Sequence, residues 1–264
     1  MRGRDRIDYA NWIPQKMVTV SGRMGIALAL ASAGSFFVSG GGLFAVLRAV
    51  LGVAALLVLL LFGYLFSARW MLSYEGGGVQ GKILDNVLSY LDWDGNGALL
   101  DIGCGSGAMT VKAAKQYPNA RLVGMDSWGA IWDYAKEQCE QNARLEGVAE
   151  RVRFVKGDAA RLDFADGSFD AAVSNFVFHQ VRTQPDKLKL ISEALRVCKP
   201  GAPFAFEDIF FSPRSYPDRE ALLRALAAQV REIRFVDTRN NDFVPALLRT
   251  PLVAGEMGLI CGKK

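Results

Sequence analysis

Two long apolar runs near the start of the chain constrain its fold more than any other feature. Met17 to Val38 is 22 residues with one charge, Arg23, and Leu43 to Phe66 is 24 residues with one charge, Arg48. At about 1.5 Å per residue, either run is long enough as a helix to cross a hydrocarbon core of about 30 Å. Only Ser39-Gly40-Gly41-Gly42 separates them, so the two helices are expected to run antiparallel as a hairpin. Gly25, Ala27, Ala29, Ala31, Ala33 and Gly34 are small and suit close packing of the first helix on the second. Arg2, Arg4, Arg6 and Lys16 precede the first run and Arg69 follows the second, while the Gly-rich connection carries no basic residue. The positive-inside rule then places both termini in the cytoplasm, with Trp12 and Trp70 where interfacial aromatics are favoured. Arg23 and Arg48 each lie about one and a half turns inside a run and must snorkel or pair. A single span from Ala49 to Phe66, a signal peptide and a buried soluble hairpin stand as alternatives. The apolar region is long for a signal peptide, and no convincing small-residue cleavage site follows it. The expected organisation is a basic segment over 1–16, a transmembrane hairpin over 17–67, a linker over 68–80 and a globular domain over 81–264 in the cytoplasm.

The rest of the chain reads as an ordinary folded sequence. Over all 264 residues, 51% are hydrophobic and 22% charged. A net charge of +4 gives no basic stripe of the kind that binds nucleic acid, and none is expected as a partner. Cys104, Cys139, Cys198 and Cys261 form no C-x-x-C pair, so metal and redox motifs are absent and reduced thiols are expected.

After Ser73 strands and helices alternate. Helical spacing covers 81–93, 108–116, 130–146, 186–197 and 218–233; short apolar runs at 98–102, 121–125, 152–155, 169–173, 203–207, 235–237 and 257–261 read as strands. This alternation predicts an α/β domain with a mostly parallel sheet and ligands at the carboxyl ends of the strands.

The strongest local signal is Asp101-Ile102-Gly103-Cys104-Gly105-Ser106-Gly107, a buried strand ending in an acid followed by alternating glycines. Glycines permit a tight turn and close backbone approach, and the following helix start offers free N–H groups. Further acids, Asp126 and Asp158, end the next two strands, where a carboxylate can meet ribose hydroxyls.

With these residues the chain resembles the class I S-adenosylmethionine-dependent methyltransferases of the small-molecule type, well over 74–210 and loosely beyond. The resemblance implies a Rossmann-like seven-stranded sheet with an antiparallel last strand, and S-adenosyl-L-methionine as cofactor. It implies that Gly103, Cys104, Gly105 and Gly107 wrap the methionine part and that Asp101 holds the loop or the amino group. Asp126 is then expected on the ribose, Ser127 and Trp128 beside the adenine, Asp158 and Ala159 at its edge, and Asn175 toward the methionine half. A nicotinamide site is the rival, since Gly103, Gly105 and Ala108 satisfy G-x-G-x-x-G/A. Asp101, the third glycine and Asp158 argue against it. A membrane module that binds the cofactor without turnover also stands open.

His179, the only histidine, lies just past the fourth strand and is a candidate base for a hydroxyl or amine. Glu207 and Asp208 end the fifth strand and either bind substrate or cap the next element. Tyr74 and Glu75, before Gly76-Gly77-Gly78, are a candidate flap. Ser174-Asn175-Phe176-Val177 is unlike the [Asp/Asn]-Pro-Pro-[Tyr/Phe] run of adenine N6-methyltransferases. The hairpin points to a small, apolar or membrane-associated acceptor.

Overall fold

The computed structural model describes residues 6–38, 40–129 and 136–264. They form two compact units, one of residues 11–80 and one of residues 6–10 with 81–264.

In the first unit, α1 (Gln15–Gly34) runs into a 3-10 turn (Ser35–Phe37), and α2 spans Gly42–Leu72. Both helices are long and apolar enough to cross a membrane by length and composition. Val18, Ser21, Gly22 and Gly25 form the buried stripe of α1, at the i, i+3, i+4, i+7 spacing of one helix face. A Cβ on Gly22 would lie 3.0 Å from the Phe62 ring, and one on Gly25 2.7 Å from Leu59 Cδ2. Ser32 Oγ donates to the Arg48 carbonyl at 3.2 Å. Contacts therefore run in opposite sequence order along the two helices, as an antiparallel hairpin requires. The close approach is made by Gly22 and Gly25; Ala27, Ala31, Ala33 and Gly34 are exposed instead. Arg48 is paired. Its Nε donates to the Ser35 carbonyl (3.1 Å) and its Nη2 to the Val38 carbonyl (3.0 Å), beside the Phe36 ring at 4.8 Å. It thereby adds donors to carbonyls of the turn that ends the first helix, where a cation is favoured.

α2 continues to Leu72, so the first residues of the expected linker are helical. The glycine triplet then folds back on the last turn of α2. Gly77 N–H reaches the Trp70 carbonyl (3.1 Å), and a Cβ there would meet the Met71 oxygen at 2.5 Å.

The second unit is a seven-stranded sheet of order β3-β2-β1-β4-β5-β7-β6, with β1 (Gly97–Ile102), β2 (Ala120–Asp126), β3 (Val152–Lys156), β4 (Ala171–Asn175), β5 (Pro203–Asp208), β6 (Glu232–Asp237) and β7 (Gly258–Lys263). β1 to β5 pair parallel, and β7 lies antiparallel between β5 and β6. The helices are α3 (Val79–Ser89), α4 (Ala108–Gln116), α5 (Lys136–Leu145), α6 (Lys187–Arg196) and α7 (Arg219–Ala227). β5 is buried on both faces, which explains its unbroken apolar run up to the terminal acids. Leu100, Ile102, Ala172, Phe204 and Phe206 share a core with Leu190, Ile191, Leu195, Leu222 and Leu226 of α6 and α7. Leu99 and Asp101 alternate to the other face, where α4 packs.

Several boundaries depart from the sequence reading: α3 ends at Ser89 where the spacing predicts helix to 93, and β7 runs on to Lys263. β4 begins at Ala171 instead of Phe169, whose backbone pairs with the segment around Cys198 and Lys199. α7 stops at Ala227, and Glu232 and Ile233, read as helical, open β6 against β7. Short apolar stretches fit both periods, and here the edge of β7 decided. Of the helix read over 130–146, residues 130–135 lie outside the described residues.

The chain passes outward from β1 to β2 and β3, then returns to build β4 and β5 on the other side. The crevice at the carboxyl ends of β1 and β4 is the switch point where such sheets bind ligands.

Candidate active site

The turn after β1 is built on left-handed glycines: φ is +72° at Gly103, +56° at Gly105 and +82° at Gly107. The first of these is obligatory twice over, because a Cβ on Gly103 would sit 2.1 Å from Val177 Cγ2. Gly103 and Cys104 both donate to the Met125 carbonyl, at 2.7 and 3.0 Å, which ties the turn to the end of β2. Below it Asp101 is 1% exposed and accepts from Thr110 Oγ1 of α4 at 2.6 Å. Burial raises its carboxyl to about 7, against the Thr110 hydrogen bond, with Asp126 adding repulsion. Asp101 thus ties the end of β1 to α4. Cys104 is buried, and burial pushes its thiol well up.

Asp126 closes over this turn. Its Oδ2 accepts from Gly105 N–H (2.9 Å) and its Oδ1 from Trp128 N–H (2.7 Å). Trp128 bends back with φ +43°, and its Nε1 donates to the Gly105 carbonyl at 2.9 Å. Gly105 is held at both its N–H and its C=O, so Trp128 clamps the glycine turn. Ser127 is exposed beside it. At the end of β3, Asp158 Oδ1 accepts from Ala160 N–H (2.9 Å) and Thr183 Oγ1 (3.1 Å), with Ala159 buried next to it.

Asn175 ends β4 opposite Glu207 of β5. Asn175 Oδ1 is buried and has no hydrogen-bond partner among the described residues. Phe176 follows with φ +56° and donates its N–H to the Glu207 carbonyl at 2.8 Å. Strained non-glycine backbone after both β2 and β4 fits a functional edge. The 3-10 turn Phe178–Gln180 carries His179 and is held by Lys187 Nζ, which donates to the carbonyls of Phe178 (2.8 Å) and Val181 (3.1 Å). Desolvation lowers the Lys187 pKa, against the pull of Asp208.

Asp208 is fully buried and gathers four donors. His179 N–H and Tyr216 O–H reach Oδ2, both at 2.9 Å; Ile209 N–H reaches Oδ1 at 2.7 Å, and His179 Nδ1 also bonds Oδ1. Because a carboxylate only accepts, Nδ1 is the donor, and in the neutral ring Nε2 is the acceptor. Glu207 points away from this cluster. It is fully buried, accepts from Thr238 Oγ1 at 2.7 Å, and burial raises its carboxyl to about 8.

Residues 99–201 match a family described as a methyltransferase domain, across the glycine turn, Asp126, Asp158 and His179. That match lies on this strand order, with β7 antiparallel. The chain carries a class I S-adenosylmethionine-dependent methyltransferase domain.

This methyltransferase domain is 35% identical over 135 residues to norajmaline N-methyltransferase of Rauvolfia serpentina, covering 48% of this chain and 43% of the relative. It is 33% identical over 108 residues to demethylmenaquinone methyltransferase of Lactiplantibacillus plantarum, covering 40% of this chain and 43% of the relative. The chain therefore spans under half the length of these curated relatives. Its fold resembles geranyl diphosphate C-methyltransferase of Streptomyces coelicolor A3(2), with a TM-score of 0.51, 19% identity, and coverage of 69% of this chain and 75% of that one. S-adenosylmethionine is the cofactor of the family, and the nicotinamide reading falls.

The residues read from sequence at this edge of the methyltransferase domain stand at the ends of β1 to β5 or just past them. Missed were the Trp128 clamp, the Thr110 partner of Asp101 and the union of His179, Asp208 and Tyr216. Tyr216 follows β5 by eight residues in an irregular segment, and no periodic signal marks it.

Proposed function

We propose that the protein is a membrane-anchored methyltransferase that moves the sulfonium methyl of S-adenosylmethionine to a small apolar acceptor in or beside the bilayer. The observation that carries this reading is the apolar surface of α1 and α2: Leu43 is 80% exposed, Leu60 61% and Phe66 58%. Water does not tolerate so extended an apolar surface, whereas lipid does. Relatives named for demethylmenaquinone and for sterol methylation lend the acceptor class support. The basic residues Lys16 and Arg69 at the outer ends of the hairpin favour a cytoplasmic methyltransferase domain.

The residues at the crevice fit the cofactor. Asn175 offers a buried acceptor without a partner among the described residues, suited to an ammonium donor. Asp126 and Asp158 retain lone pairs beyond their backbone bonds, suited to ribose hydroxyls and an exocyclic amine. Gly103, Cys104, Gly105 and Gly107, with Asp101 beneath them, supply a backbone-lined wall, and Ser127 and Ala159 flank the base. The bound cofactor supplies an activated methyl and a neutral leaving sulfur. The chain's own share is to position the acceptor in line and to take its proton. His179 Nε2 takes that proton, while Asp208 and Tyr216 fix the ring and stabilise its charged form.

The test is transfer of radiolabelled methyl from S-adenosylmethionine by the full chain in detergent, offered a lipid extract and an aqueous metabolite extract in parallel. Label in the organic phase is the expected outcome. Label only in water-soluble products would overturn the apolar acceptor.

A further inference from the structure

The segment before α1 has no regular structure, yet its backbone is held closely against the glycine turn. Asn142 of α5, 1% exposed, bonds both sides of residue 8. Its Oδ1 accepts from Asp8 N–H at 3.0 Å, and its Nδ2 donates to the Asp8 carbonyl at 2.8 Å. The same Nδ2 donates to the Ser106 carbonyl at 3.0 Å. Ser106 Oγ in turn donates to the Tyr9 carbonyl at 2.6 Å. One turn before Asn142 on α5, Gln138 Nε2 also donates to the Asp8 carbonyl, and just past the helix Glu146 Oε1 accepts from Tyr9 O–H at 2.9 Å. Ala10 turns the chain away with φ +56°, its N–H on Asp8 Oδ1 at 2.8 Å.

Ser106 is the residue between Gly105 and Gly107. A glycine-rich turn has more conformational freedom to lose than any other backbone, so anything that orders it beforehand strengthens ligand binding. Asn142 grips this turn and the N-terminal segment with a single amide, and Ser106 closes the ring through Tyr9. We propose that Asn142 is a positioning residue for the cofactor turn, and that docking of residues 8–10 and cofactor binding are coupled through it. The coupling rests on the reading above that Gly103 to Gly107 hold the cofactor. By linkage it is reciprocal: whatever docking adds to cofactor affinity, the cofactor adds to docking.

The experiment uses the full chain in detergent, titrated calorimetrically with S-adenosylhomocysteine, with trypsin cleavage at exposed Arg6 as a second readout. Asn142→Ala removes all three bonds of the amide and is expected to weaken binding about tenfold. Asp8→Pro removes the N–H that Asn142 Oδ1 accepts, together with the carboxylate that accepts from Ala10 N–H, and leaves the Asn142 side chain in place; it is expected to weaken binding about three- to fivefold. In the wild type the ligand should slow cleavage at Arg6, and in Asp8→Pro cleavage should be fast and respond less to ligand. A purely structural Asn142 would lower thermal stability without making Arg6 cleavage depend on ligand. Wild-type binding that both variants retain, with cleavage indifferent to ligand, overturns the coupling alone. A folded wild type that binds no S-adenosylhomocysteine overturns the cofactor reading and the coupling together.

Discussion

At the residue scale, Asp208 decides what His179 can do. An imidazole flanked by solvent alone would sample both tautomers, whereas here a buried carboxylate fixes the proton on Nδ1 and Tyr216 shares the charge. Replacing His179 with Ala is expected to cut turnover roughly 10²- to 10⁴-fold while S-adenosylhomocysteine binding stays within about twofold, the mark of a general base. Asp208→Asn should fall in the same direction, because the amide no longer dictates the tautomer. Equal turnover in wild type and His179→Ala, read with the acceptor that the extract screen yields, would leave the histidine a structural role. Asp126→Ala separates binding from chemistry: calorimetry should show affinity for S-adenosylhomocysteine lowered at least about tenfold, since two backbone bonds go together with the proposed ribose contacts.

Glu207 makes a distinct expectation. Its carboxyl stands near 4.5 in an unfolded chain and is raised to about 8 in the fold by burial. The folded state therefore holds more protons than the unfolded one between these values, and stability must fall as pH rises through that window. Asp101, raised to about 7, acts with the same sign from 3.8 upward. Thermal melts of Glu207→Gln between about pH 5 and pH 8.5 should decline less steeply than those of the wild type. Parallel curves would show that Glu207 is ionised in the fold throughout.

At the scale of elements, the α1–α2 contact depends on absent side chains. Gly22 and Gly25 let Phe62 and Leu59 lie against the α1 backbone, and a Cβ at Gly25 already meets Leu59 at 2.7 Å. Gly25→Leu is expected to destabilise the hairpin by about 1–3 kcal/mol, as overpacking does, read as a lower melting temperature in detergent. Gly34→Leu, with nothing within 4 Å of its Cβ, should be close to neutral. A reversed order would mean that the helices meet along another face.

At the scale of the whole molecule, the sequence by itself determined the element types and the edge at which chemistry gathers. Alternating strand and helix periods specify a parallel sheet, and β1's apolar run ending in Asp101 and three glycines marks its switch point. Such signals are local, written in periodicity and in residues whose backbone freedom is rare. The length of the apolar hairpin is equally local. The boundary between α7 and β6 was not legible, because residues 228–233 fit helix and strand alike until β7 offered its edge. Nor were the partnerships of the site. His179 and Asp208 are 29 residues apart, Asn142 and Asp8 134 apart, and Thr110 meets Asp101 from the next helix. Each depends on where a side chain ends after packing has fixed register and rotamer, and no spacing in the chain encodes that. Arg48 shows the same division. Its place inside an apolar run is plain from sequence, but which carbonyls accept its donors is settled only when the end of α1 folds against it.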